Sequence, residues 1–113
     1  MTTLLALVRR PEGEDEGSAA FEAAYRETHL PLIGQVPGLR GLRVRRVRRR
    51  LMGDDDDFVI ATEMRFDDWD AAKAGLASEA MVAAGRNLAE IAPELTTLLV
   101  LEDADDLAPE AWR

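Results

Sequence analysis

Tyr25 and His29 stand four residues apart in this 113-residue chain, so on a helix they share one face. An imidazole with an ordinary pKa of about 6.5 is suited to moving a proton at neutral pH. A phenol beside it can donate a hydrogen bond to a substrate carbonyl or to an enolate. The pair therefore suits proton abstraction beside a carbonyl, an isomerisation or a lactone rearrangement. His29 is the single histidine. A histidine near a helix end also serves structurally, by bonding a backbone carbonyl, and the sequence leaves both roles open.

Other chemistries find little support. The chain has no cysteine, which excludes disulfides, thiolate metal sites and a thiol nucleophile. One histidine argues against a dedicated transition-metal site. Gly38-x-x-Gly41 is too short for a phosphate loop, so no nucleotide or flavin is expected. Asp54 to Asp57 lack the ligand spacing of a calcium loop and read as a solvated hairpin turn. No cofactor and no metal are therefore expected. Met64 and Met81 fall on apolar stripes, as core or cavity lining.

Arg40, Arg43, Arg45, Arg46, Arg48, Arg49 and Arg50 crowd one segment. A nucleic-acid patch is one reading, but the formal net charge is −8 and no aromatics interleave. That balance disfavours nucleic acids and anionic membranes as partners. Pairing with Asp54 to Asp57 and other carboxylates, or protection of an exposed strand, fits better. One of these arginines could still hold a substrate carboxylate.

These groups need a scaffold. At 47% apolar and 32% charged residues, the chain reads as one globular domain. Thr3 to Arg9 reads as a strand covered on both faces, with Leu5 and Leu7 on one side and Leu4, Ala6 and Val8 on the other. It is too short for a membrane span and lacks the features of a leader, so a cytoplasmic protein is expected. Glu14-Asp15-Glu16 reads as a loop and Ser18 as the cap of a first helix, with Phe21, Ala24, Tyr25, Thr28 and Leu32 turned inward. Pro31 disrupts that helix near its end, and Val36-Pro37-Gly38-Leu39 is a turn.

Leu42 to Leu51 reads as a long second strand, whose apolar phase would need a bulge near Arg45-Arg46. Phe58 to Phe66 returns as a third strand, with Phe58, Ile60, Thr62, Met64 and Phe66 on one face. Asp67 or Asp68 starts a short helix, Gly75 and Ser78 interrupt it, and Ser78 caps a longer one that ends at Pro93. Leu95 to Glu102 is a fourth strand. The order β-α-β-β-α-β predicts a ferredoxin-like α+β domain with a four-stranded antiparallel sheet over residues 1–102, followed by an acidic tail, 103–113. Both helices would lie on one sheet face. The other face carries too much apolar surface to stay wet, so a homodimer packed through it is expected. The alternative cover is the tail, with Leu107 and Trp112.

Phe21-x-x-x-Tyr25-x-x-x-His29-x-Pro31-Leu32, followed by Val36-Pro37-Gly38-Leu39, resembles the EthD family. So do the strand ending in Phe66, Trp69-x-x-Ala72 and Leu76-Ala77-Ser78-Glu79. The resemblance runs to about Glu102, and its second half is shared with other dimeric α/β barrels such as cofactor-free monooxygenases of antibiotic biosynthesis. It implies a dimeric α/β barrel with a cavity between sheet and helices. It also implies isomerase, cyclase or oxygenase chemistry without a cofactor on small cyclic or aromatic oxygenated metabolites, or simple binding of such molecules. Some lactone-isomerising relatives use a Cys beside the His, and this chain has none.

Overall fold

The computed structural model describes residues 1–11, 15–53 and 57–112. The breaks expected at Glu12-Gly13 and at Asp54 to Asp56, and the loop residue Glu14, lie outside these residues. So does the side chain of Trp112.

Four strands, β1 (Thr2–Arg9), β2 (Gly41–Arg46), β3 (Phe58–Phe66) and β4 (Thr96–Glu102), form one antiparallel sheet in the order β2-β3-β1-β4. Helices α1 (Asp15–Ala24), α2 (Leu30–Ile33), α3 (Trp69–Leu76) and α4 (Glu79–Ile91) complete the fold, with a π-helical turn over Tyr25–His29 between α1 and α2. This is the expected ferredoxin-like α+β topology. Within one chain the sheet is open and does not close on itself.

Alternation along β1 sets the two faces. Thr2, Leu4, Ala6 and Val8 are buried, and Thr3, Leu5, Leu7 and Arg9 are half-buried. On β3, Ile60, Thr62, Met64 and Phe66 are buried on the same side. The core beneath the helices divides into two clusters. One is built on Leu4, Met64, Phe66 and Ile33, the other on Val8, Ile60, Phe21 and Tyr25.

Several expectations are corrected. Helix α1 starts at Asp15, so Asp15 and Glu16 are helical and Ser18 lies inside the helix rather than capping it. Carboxylates in a first helical turn are favoured by the helix dipole. Strand β2 stops at Arg46 and carries no bulge at Arg45-Arg46; its register with β3 is regular, and Val47 N–H still donates to Val59 O. The phase slip arises because Leu42 and Val44 face the helices while Val47 falls on the opposite parity. Gly75 does not break α3. It is buried inside it, because only hydrogen fits there against Phe66 and Val36.

Caps set the helices. Asp68 Oδ1 accepts from Ala71 N–H at 2.8 Å, and Ser78 Oγ accepts from Met81 N–H at 3.2 Å. Leu39 N–H closes a turn on Val36 O, with Pro37 second and Gly38 third at φ +81°. That backbone suits a type II turn, which favours glycine at its third position.

Candidate functional site

The π turn is where the site begins. Leu30 N–H donates to Tyr25 O, five residues back. Pro31 follows in the first turn of α2, where its missing N–H is tolerated. The i→i+5 turn widens the helix and lines up Phe21, Tyr25, His29 and Ile33, all buried. In an unbroken α-helix a strict spacing of four would drift off the inner face. Thr28, expected inward, is exposed instead.

The structure brings Tyr25 and His29 together. Their ring centroids are 4.9 Å apart, and the residues are 2% and 4% exposed. Tyr25 Oη and Thr62 Oγ1 share a hydrogen bond of 2.6 Å. His29 Nδ1 lies 3.2 Å from Asn87 Oδ1. That oxygen can only accept, so the neutral ring carries its hydrogen on Nδ1 and its lone pair on Nε2. The Ala84 carbonyl on α4 favours the protonated form of the ring.

Burial pushes the His29 pKa below the ordinary histidine value, only partly countered by the bonds to Asn87 and Ala84. Burial also raises the Tyr25 phenol, against the opposing effect of Thr62. At neutral pH the pair is therefore an uncharged imidazole and an un-ionised phenol, a base beside a donor.

Both rings line a cavity of about 180 Å³ between sheet and helices, whose other walls include Ala6, Met64, Met81 and Leu98. It sits at the seam between the two core clusters and takes residues from each. A cavity of about 150 Å³ holds a benzene ring in other proteins. Both methionines line it, as expected.

None of the arginines at 40–50 lines this cavity. Arg40 forks onto Asp67, Arg45 pairs with Glu63 at 2.6 Å, and Arg46 forks onto Glu22. The Arg46 hydrogen bond holds the Glu22 carboxyl below its usual range. Their described partners are thus carboxylates on α1, β3 and the β3–α3 turn. Asp57, expected to serve them, pairs with Arg10 at 2.6 Å. The Glu22–Arg46 pair and Tyr25 border a separate outer groove.

Asn87 and Thr96 were not anticipated as site residues. Asn87 lies three residues after the inward-facing Ala84, the one signal that could have found it. Thr62 was placed on one strand face with Phe58, Ile60, Met64 and Phe66, without a role.

Fold and cavity together define a ferredoxin-like α+β domain with a small apolar chamber under its helices, carrying one histidine and one tyrosine on a single wall. The EthD domain family matches residues 11–92, and the chain belongs to that family. It is similar to an EthD family protein from Bacillus halodurans, with 32% identity over 92% of this chain and 99% of that one and a TM-score of 0.80. A dimeric ferredoxin-like protein of unknown function from Bacteroides fragilis shares the fold at 22% identity, covering 90% and 95% of the two chains, with a TM-score of 0.65. A putative antibiotic biosynthesis monooxygenase from Caulobacter crescentus shares it at 14% identity, covering 91% and 89%, with a TM-score of 0.61. The chain matches no curated protein. No helix among the described residues is long and apolar enough to cross a membrane.

Proposed function

We propose that the chain is a cofactor-independent enzyme of isomerase type, acting on a small cyclic oxygenated metabolite held in the His29 cavity. The supporting observation is the pairing of an un-ionised imidazole with a phenol on one wall of an otherwise apolar chamber of about 180 Å³. In the reaction a C–H bond beside the substrate carbonyl breaks, its proton passes to His29 Nε2, and the electron pair moves onto the carbonyl oxygen. Tyr25 donates to that oxygen. Return of the proton to a different carbon completes an isomerisation. The working unit is a homodimer through the open sheet face, supported by the Leu5, Leu7, Leu99 and Leu101 side chains there.

One observation favours a second reading. The His29 ring is tied to Asn87 and, when protonated, is favoured by the Ala84 carbonyl, which also suits a structural histidine beside a cavity that only binds. Cyclohexanone separates the two. The enzyme reading expects accelerated exchange of its α-protons with deuterated water, and a loss of about a hundred- to ten-thousandfold in His29→Gln, with fold and dimer intact. Binding without exchange, unchanged by His29→Gln, supports the second reading. Absence of any binding by single-ring ketones defeats both.

A further inference from the structure

The cavity has an unmet hydroxyl. Among the described residues, Thr96 Oγ1 is a buried side-chain oxygen with no hydrogen-bond partner, and Thr96 lines the cavity. An unpaired buried hydroxyl is unfavourable, and valine suits a strand position equally well. Nothing in the packing calls for this oxygen.

Its position is set by register. Thr96 pairs with Val8 on one side of β1, and Thr62 pairs with Ala6 on the other. Two strand spacings across and two residues along put their Cα atoms roughly 12 Å apart. Polar groups thus stand on two separated parts of an apolar chamber: Thr62 with Tyr25 and His29, and Thr96.

The chamber opens on the Thr96 side. Leu98, which lines it, is 50% exposed. Gly85, Leu88 and Thr96 line both the chamber and an adjoining outer groove. A Cβ at Gly85 would meet nothing within 4 Å, so no packing demands glycine there, although mid-helix glycine is unfavourable. Its missing side chain keeps the opening clear.

We propose that ligands enter between α4 and β4 over Gly85 and anchor one oxygen on Thr96 Oγ1, which has almost no accessible surface in the empty chamber and turns about χ1 to meet it, selecting single rings bearing oxygen functions at opposite ends. This rests on the cavity being a ligand site, as proposed above. Cyclohexane-1,4-dione and cyclohexanone, titrated by NMR against the His29 ring signals, test it. The dione binds wild type about tenfold more tightly than the monoketone. Thr96→Val removes that preference, while Thr96→Ser retains it. Gly85→Leu weakens both ketones at least tenfold. Thr96→Val melts no lower than wild type, because no hydrogen bond is lost; a lower melting temperature would reveal a protein partner and overturn the assignment. Cyclohexanone binding with a dione preference that survives Thr96→Val overturns the anchor alone, and unaltered binding in Gly85→Leu overturns the entrance. If neither ketone perturbs His29, the cavity reading falls and this inference with it.

Discussion

Burial fixes the sign of what His29 contributes to folding. Its folded pKa lies below the unfolded value of about 6.5, so the unfolded chain takes up the proton more readily. The stability linked to the neutral ring is fully present above the unfolded value and is lost as pH falls toward and through the folded one. Glutamine cannot titrate. The melting temperature of wild type relative to His29→Gln should therefore fall between pH 7.5 and pH 5.5. A difference constant across that range would show that the ring is not held neutral by burial. The Tyr25–His29 pair was legible because spacing alone puts both residues on one face. The partners that orient them were not, since Thr62 and Asn87 come from β3 and α4 and only the folded chain brings them close.

At the scale of elements, two helix-interior glycines have opposite reasons to exist. At Gly75 a Cβ would lie 2.8 Å from Phe66 Cε1 and 3.0 Å from Val36 Cγ1. Phe66 is fully buried and cannot yield. Gly75→Ala should destabilise by roughly 1–3 kcal/mol, whereas Gly85→Ala, in open space, should stabilise by about 0.5–1 kcal/mol. Thermal melts of the two variants check both signs, and equal effects would refute the packing account. Gly75 looked like a helix break because the sequence does not reveal which helix lies close against another element. The π turn was hidden for a related reason: Pro31 marks a disturbance, but either a helix end or a widened turn satisfies it. Strand limits failed at β2 because Val47 and Leu51 supply apolar residues of one parity after the ladder has ended.

For the whole molecule, the open sheet face is the main unfinished surface. Register places Leu5, Leu7, Val59, Ala61, Leu99 and Leu101 there, with Arg45 and Glu63 toward β2. Leu107, the other expected cover, is exposed in the tail. Sedimentation of wild type should report twice the chain mass, and Leu5→Asp should reduce it to a single chain. A wild-type monomer at micromolar concentration would remove the case for a barrel closed by two copies. Strand order was readable because the β-α-β-β-α-β succession of elements places β1 and β3 at the centre of one sheet under two helices. The sequence alone left open which apolar set lay beneath them, Leu4, Ala6 and Val8 or Leu5 and Leu7.

A core split by a void responds to compression in a way a solid core does not. Hydrostatic pressure favours whichever state has the smaller volume, and the volume lost on unfolding scales with the internal space that unfolding eliminates. The chamber of about 180 Å³ between the two clusters should make the empty protein yield to pressure more readily than to heat. Substituting Ala84, whose side chain faces that space, with leucine should raise the pressure midpoint. Tryptophan fluorescence under pressure would follow the transition, and an unchanged midpoint would mean that the chamber is already filled with water.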